Sequence, residues 1–68
     1  MKLTVNGETK HFSQDPKSLE QLIILLEYHP RLIVVEHNGL IIPPKDWCKQ
    51  KIKNKDTIEI VTIVGGGY

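Results

Sequence analysis

Cysteine, aromatic residues, charge of one sign and long apolar runs are all scarce in this 68-residue chain, and each scarcity excludes something. A single cysteine, Cys48, rules out an intramolecular disulfide framework and fits a reducing compartment. A formal net charge of +1 gives no electrostatic reason to expect nucleic acid or an anionic membrane as a partner. No apolar stretch approaches the roughly 20 residues of a membrane span, and the N-terminal residues Met1 to Gly7 contain no signal-like apolar core. The expectation is a cytoplasmic protein. With 40% hydrophobic and 25% charged residues the composition is that of a globular chain. A single domain of this size buries only about 60% of its unfolded surface, which leaves little room for an enclosed active site.

What the chain does contain is clear local punctuation. Leu3 and Val5 alternate with polar neighbours as in a half-buried strand, and Asn6-Gly7 supplies a tight hairpin turn. Glu8 to Phe12 reads as the returning strand, anchored by Phe12 and broken at Asp15-Pro16. Ser18 with Gln21 three residues on has the form of a capping box. Leu19, Leu22, Ile23 and Leu26 recur at helical spacing, while Glu20, Gln21 and Glu27 face away. Ile24 and Leu25 widen the stripe, so the helix is expected to be well covered by a sheet and to run on to His29-Pro30.

Leu32 to Glu36 is nearly continuous apolar sequence, expected as a central strand buried on both faces. A second Asn-Gly turn at Asn38-Gly39 leads into a brief strand over Leu40 to Ile42, which Pro43-Pro44 end at a sheet edge. A short helical turn is expected within Asp46 to Ile52, with Trp47 as a lid on the core. Lys53 to Asp56 forms a polar turn before a last strand over Thr57 to Val64. Five strands and one helix give an α+β fold, a small mixed sheet with the helix across one face. If the first and last strands pair in parallel at its centre, the fold is a β-grasp. The organisation expected is a body over residues 1–64 and a tail over residues 65–68.

Few residues are placed for chemistry. His11, His29 and His37 lack ligand spacing, so no metal site is expected. Lysines flank Cys48 and would favour its thiolate, but a semi-buried structural thiol is the simpler reading. Lys45, Lys49, Lys51, Lys53 and Lys55 read as a solvated basic strip. No Ser/His/Asp grouping or carboxylate pair stands out, and the glycine run lacks the Gly-Lys-Ser/Thr ending of a phosphate loop. The chain is not expected to be an enzyme.

Two features point instead to a partner. In the last strand, if Ile58 and Ile60 face the helix, alternation sends Thr57, Glu59, Val61 and Ile63 to the opposite face. Val61 and Ile63 are then apolar residues outside the core, a docking patch unless a loop covers them. Immediately beyond lie Gly65, Gly66, Gly67 and Tyr68. Glycines build little structure and make a thin tail able to enter a narrow cleft.

These residues resemble the ThiS family of ubiquitin-like sulfur carriers. The likeness rests on the element order, on Asp56-Thr57-Ile58-Glu59-Ile60-Val61 with the terminal glycines, and on Glu36 to Pro43 with the following Trp47. The resemblance implies that a ThiF-type adenylating enzyme activates the terminal glycine with ATP. Persulfide sulfur from a cysteine-desulfurase system then leaves a thiocarboxylate, which thiazole synthase uses to make the thiazole of thiamin. Gly66 and Gly67 match the family's terminal pair, and Gly67 is the implied sulfur-carrying residue. The implied carrier binds no cofactor of its own and is a monomer when free. Two departures stand out. Tyr68 occupies the position of the reactive carboxylate, so it is expected either to be removed by a peptidase, to be an artefact, or to disable the chain. Pro44 stands where relatives often carry a basic residue. A carrier serving tRNA thiolation or cysteine synthesis, and an unmodified β-grasp interaction module, are also compatible with the sequence.

Overall fold

The computed structural model describes residues 1–63. Its elements are β1 (Lys2–Val5), β2 (Glu8–His11), α1 (Leu19–Leu25), a 3-10 turn (Pro30–Leu32), β3 (Ile33–His37), β4 (Leu40–Ile41), a second 3-10 turn (Pro44–Asp46) and β5 (Thr57–Thr62). The strands form one mixed sheet in the order β2-β1-β5-β3-β4. The first and last strands do pair in parallel, with Thr4 opposite Thr57 and Val5 opposite Ile58. All other pairings are antiparallel.

Both Asn-Gly dipeptides make their turns with positive φ at both residues, 50° and 80° for Asn6-Gly7 and 50° and 88° for Asn38-Gly39. That is the backbone of a type I′ turn, whose twist matches the flanking strands. Each asparagine also serves β5 through its side chain. Asn6 Oδ1 accepts from the Ile60 N–H at 2.6 Å, and Asn38 Oδ1 accepts from the Thr57 N–H at 2.8 Å. The two hairpin turns thus grip the central strand from opposite sides.

The core lies between α1 and one sheet face. Leu19, Leu22 and Ile23 pack with Leu3, Val5, Ile33, Val35, Ile58 and Ile60, and Trp47 and Ile52 close the cluster. Trp47 is itself buried and donates its indole N–H to the Ile42 carbonyl at 2.8 Å. The helix start is well satisfied. Ser18 Oγ accepts from the Gln21 N–H, while the Leu19 and Glu20 N–H groups donate to the Gln50 and Trp47 carbonyls. Gln21 Oε1 reaches back to the Lys17 N–H, one residue earlier than a capping box requires.

Four expectations are corrected. The helix ends at Leu25, not near His29, because Glu27 takes a left-handed φ of 63°. The Tyr28 N–H then bonds Ile23 O and the Glu27 N–H bonds Ile24 O, a Schellman closure that usually employs glycine. Ile24 and Leu25 are 67% and 52% exposed rather than covered, since a helix touching a single layer buries only one stripe. β3 is not buried on both faces. Ile33 and Val35 are buried while Val34 and Glu36 are half-buried, and the central position belongs to β5. The helical turn expected within 46–52 begins earlier, at Pro44, whose fixed φ suits a first helical position.

Candidate functional site

The sheet face turned away from α1 is where the fold leaves apolar surface uncovered. Along β5, Ile58 and Ile60 are buried and Thr57, Glu59 and Val61 are exposed, the alternation expected from the sequence. Val61 is 59% exposed and Ile63 42%. The antiparallel register with β3 turns these two residues into a patch. Val34 lies opposite Val61, and the Ile63 N–H donates to Leu32 O at 2.6 Å, so Leu32 and Ile63 make the next rung. On the other side of Val61, Glu36 lies opposite Glu59, and Ile41 of β4 opposite Glu36. Two apolar rungs are therefore followed by an acidic one. Sequence reasoning found only the β5 half of this surface. Leu32, Val34, Glu36 and Ile41 join it through strand register, which the sequence does not display.

At the opposite end of β5 a polar network fixes where the strand begins. His37 Nε2 lies 2.7 Å from Asp56 Oδ2, and Gln50 Nε2 lies 2.8 Å from His37 Nδ1. With Gln50 donating to Nδ1, the imidazole carries its proton on Nε2 and donates to the carboxylate. Asp56 also accepts from Asn38 Nδ2 at 3.1 Å and from the Lys53 N–H at 2.8 Å. Burial alone would raise the Asp56 pKa, but the hydrogen bonds from His37, Asn38 and the Lys53 backbone outweigh it and hold the carboxyl below its ordinary value. With the folded value lowered, Asp56 contributes stability above its unfolded pKa of about 3.9 and loses it as the pH falls through the folded value. Urea denaturation of the native chain and of Asp56→Asn should show a stability gap at neutral pH that narrows on acidification below about pH 4. A gap independent of pH would mean that the carboxylate charge contributes nothing. The network contains no nucleophile and lies at the end of β5 remote from Ile63, so it positions the strand.

The remaining candidates stay apart. Cys48 is exposed and unpaired rather than semi-buried as expected, and the basic-strip lysines are exposed as solvated side chains. Among the described residues no three His, Cys, Asp or Glu side chains converge as a metal site, and no helix is long and apolar enough to cross a membrane. Gly65, Gly66, Gly67 and Tyr68 lie outside the described residues, as does the 64/65 boundary between body and tail.

A five-stranded mixed sheet with its first and last strands parallel at the centre and one helix across one face is a ubiquitin-like β-grasp. A family model described as "ThiS family" matches residues 3–67, and the chain belongs to that family. Among its relatives is the uncharacterized protein ycf40 of Trieres chinensis, 40% identical over 63 residues that cover 93% of this chain and 85% of the relative. A thiazole synthase of Paramagnetospirillum magneticum is 36% identical over 67 residues, 98% of this chain but 20% of that protein. The sulfur carrier protein ThiS of Bacillus subtilis is 29% identical over 65 residues, covering 96% of this chain and 98% of the relative. The crystal structure of the thiamine biosynthesis protein ThiS from Geobacter metallireducens superposes with a TM-score of 0.84 at 26% identity, covering 98% of this chain and 100% of that one.

Proposed function

We propose that this chain carries sulfur as a thiocarboxylate on Gly67 and delivers it to thiazole synthase for the thiazole of thiamin. The observation that carries this reading is the extent of the family match, which runs from the first strand through the glycine run to residue 67. Free carboxylates are poor acyl donors. A ThiF-type enzyme would join the glycine carboxylate to AMP from ATP, releasing pyrophosphate. The outer sulfur of a persulfide, supplied by a cysteine-desulfurase system, then attacks the acyl carbon and AMP departs. A thiol reduces the resulting acyl disulfide and frees the thiocarboxylate. In this reading the chain contributes the carried group and a docking face around Val61 and Ile63, and its partners contribute the catalysis.

Glycine suits such a carrier because the activating enzyme must bring backbone close to ATP, where a Cβ would crowd. The likeness to one-fifth of a thiazole synthase supports that enzyme as the sulfur acceptor. Tyr68 must leave before Gly67 can be activated, and a peptidase is the agent proposed. The test is the intact mass of the protein recovered from its native cells. The expected result is a chain lacking the tyrosine, a fraction of it with one oxygen replaced by sulfur. A chain that keeps Tyr68 in cells actively making thiamin would overturn the proposal.

A further inference from the structure

The acidic rung on the outer face has no counterpart inside the fold. Glu36 and Glu59 sit directly opposite each other in the β3–β5 register. Like charges so placed weaken a strand pair, with Cβ atoms only about 4.5–5.5 Å apart. Among the described residues the ion pairs of lysine and of the N-terminus lie elsewhere, at Met1–Asp15, Lys10–Glu8 and Lys49–Asp46. The other neighbour on the rung is Ile41, and the next rung is Val34–Val61. The two glutamates therefore face each other beside apolar surface, and among the described residues no lysine or arginine is paired with either.

We propose that this rung receives an arginine from the adenylating enzyme, whose apolar surface covers the Val34–Val61 and Leu32–Ile63 rungs beside it. The inference rests on the carrier reading above and adds to it the chemistry of the partner. A guanidinium suits the site better than an ammonium for two reasons. Its planar fork presents N–H donors along more than one edge, so a single group can bridge two facing carboxylates. It is also weakly hydrated, which lowers the cost of burying it beside valine and isoleucine. Other occupants fit less well. A second copy docking face to face would bring four carboxylates together, and a nucleic acid or anionic membrane would meet charge of its own sign.

The test is the affinity of the full chain for the ThiF-type adenylating enzyme of the same cell, measured by calorimetry at low and high salt. Glu36→Gln, Glu59→Gln and the double variant are compared with the native chain, and Val61→Asp serves as a probe of the apolar rungs. The double variant is expected to bind about ten- to hundred-fold more weakly, the size of a lost charge-assisted contact. Its affinity should be less sensitive to salt, and its melting temperature should rise because the repulsion is gone. Undiminished affinity and an unchanged salt dependence in the double variant overturn the arginine site. If Val61→Asp still weakens binding in that case, the carrier reading survives and only the acidic rung fails. A native chain that binds the enzyme neither with Tyr68 nor after its removal overturns both readings. A native chain that self-associates over this face, with the double variant monomeric, overturns the proposal in favour of a second copy.

Discussion

Val61→Asp is expected to lower affinity for the adenylating enzyme by about two orders of magnitude while leaving the domain folded. The two halves of that expectation come from the same geometry. Val61 points away from α1 and is 59% exposed, so an aspartate there remains hydrated in the free protein. The folded state loses only the strand preference of valine, on a scale that spans about 1 kcal/mol. In a complex the position changes. The carboxylate would lie between the Leu32–Ile63 rung and the Glu36–Glu59 rung, facing apolar partner surface with two carboxylates already beside it. Burying an unpaired charge costs several kcal/mol, and about 3 kcal/mol is already roughly a hundred-fold in the dissociation constant. Titration calorimetry reads the affinity, and circular dichroism with urea denaturation reads the fold. An unfolded variant would place Val61 in the core, and an unaltered affinity would move the docking face elsewhere.

The parts of this molecule that were legible in the sequence are those decided by a few adjacent residues. The Asn6-Gly7 and Asn38-Gly39 turns, the Ser18 cap and the period-two alternation of β5 each follow from local backbone chemistry. Those features place the strands, and alternation alone exposes Val61 and Ile63. What was hidden depends on contacts between distant segments. The continuous apolar run at Leu32 to Val35 is expected to be covered on both sides, yet the chain has one helix and covers one face. Val34 is left half-buried for the outer surface. The spatial pairing of Glu36 with Glu59 spans 23 positions and follows from the register of β3 on β5. His37, read from sequence as an isolated histidine, meets Asp56 because the antiparallel register of β3 on β5 sets His37 opposite Ile58, beside the start of β5. The early end of α1 was equally hidden. Nothing in a glutamate announces a left-handed conformation, and Glu27 adopts one because the chain must turn back to let Tyr28 pack on the core.

Asn6→Ala should destabilise the domain by about 2–5 kcal/mol, a large share of the roughly 3–10 kcal/mol typical for a chain of this length. Two separable effects add. Alanine at a φ of 50° incurs the left-handed backbone penalty that asparagine tolerates better, about 1–2 kcal/mol. The substitution also removes the acceptor of the Ile60 N–H, and an unsatisfied donor costs about 1–3 kcal/mol when buried. The parallel pairing of β1 with β5 is short, Thr4 opposite Thr57 and Val5 opposite Ile58, and the Thr4 N–H on Asp56 O and the Asn6 N–H on Ile58 O flank it. The Asn6 side chain extends that support by one more rung, to Ile60. Beyond it, β5 is held by β3 on one side, and this is the stretch that carries Val61 and Ile63. Three substitutions separate the effects. Asn6→Asp keeps the acceptor and should stay close to the native chain at neutral pH. Asn6→Gly keeps the turn but loses the bond and should fall between, and Asn6→Ala should be the least stable. Urea midpoints with unchanged slopes measure the order. If Asn6→Gly matches the native chain, the side-chain bond to Ile60 does not stabilise β5. If Asn6→Ala matches Asn6→Gly, the turn imposes no conformational cost.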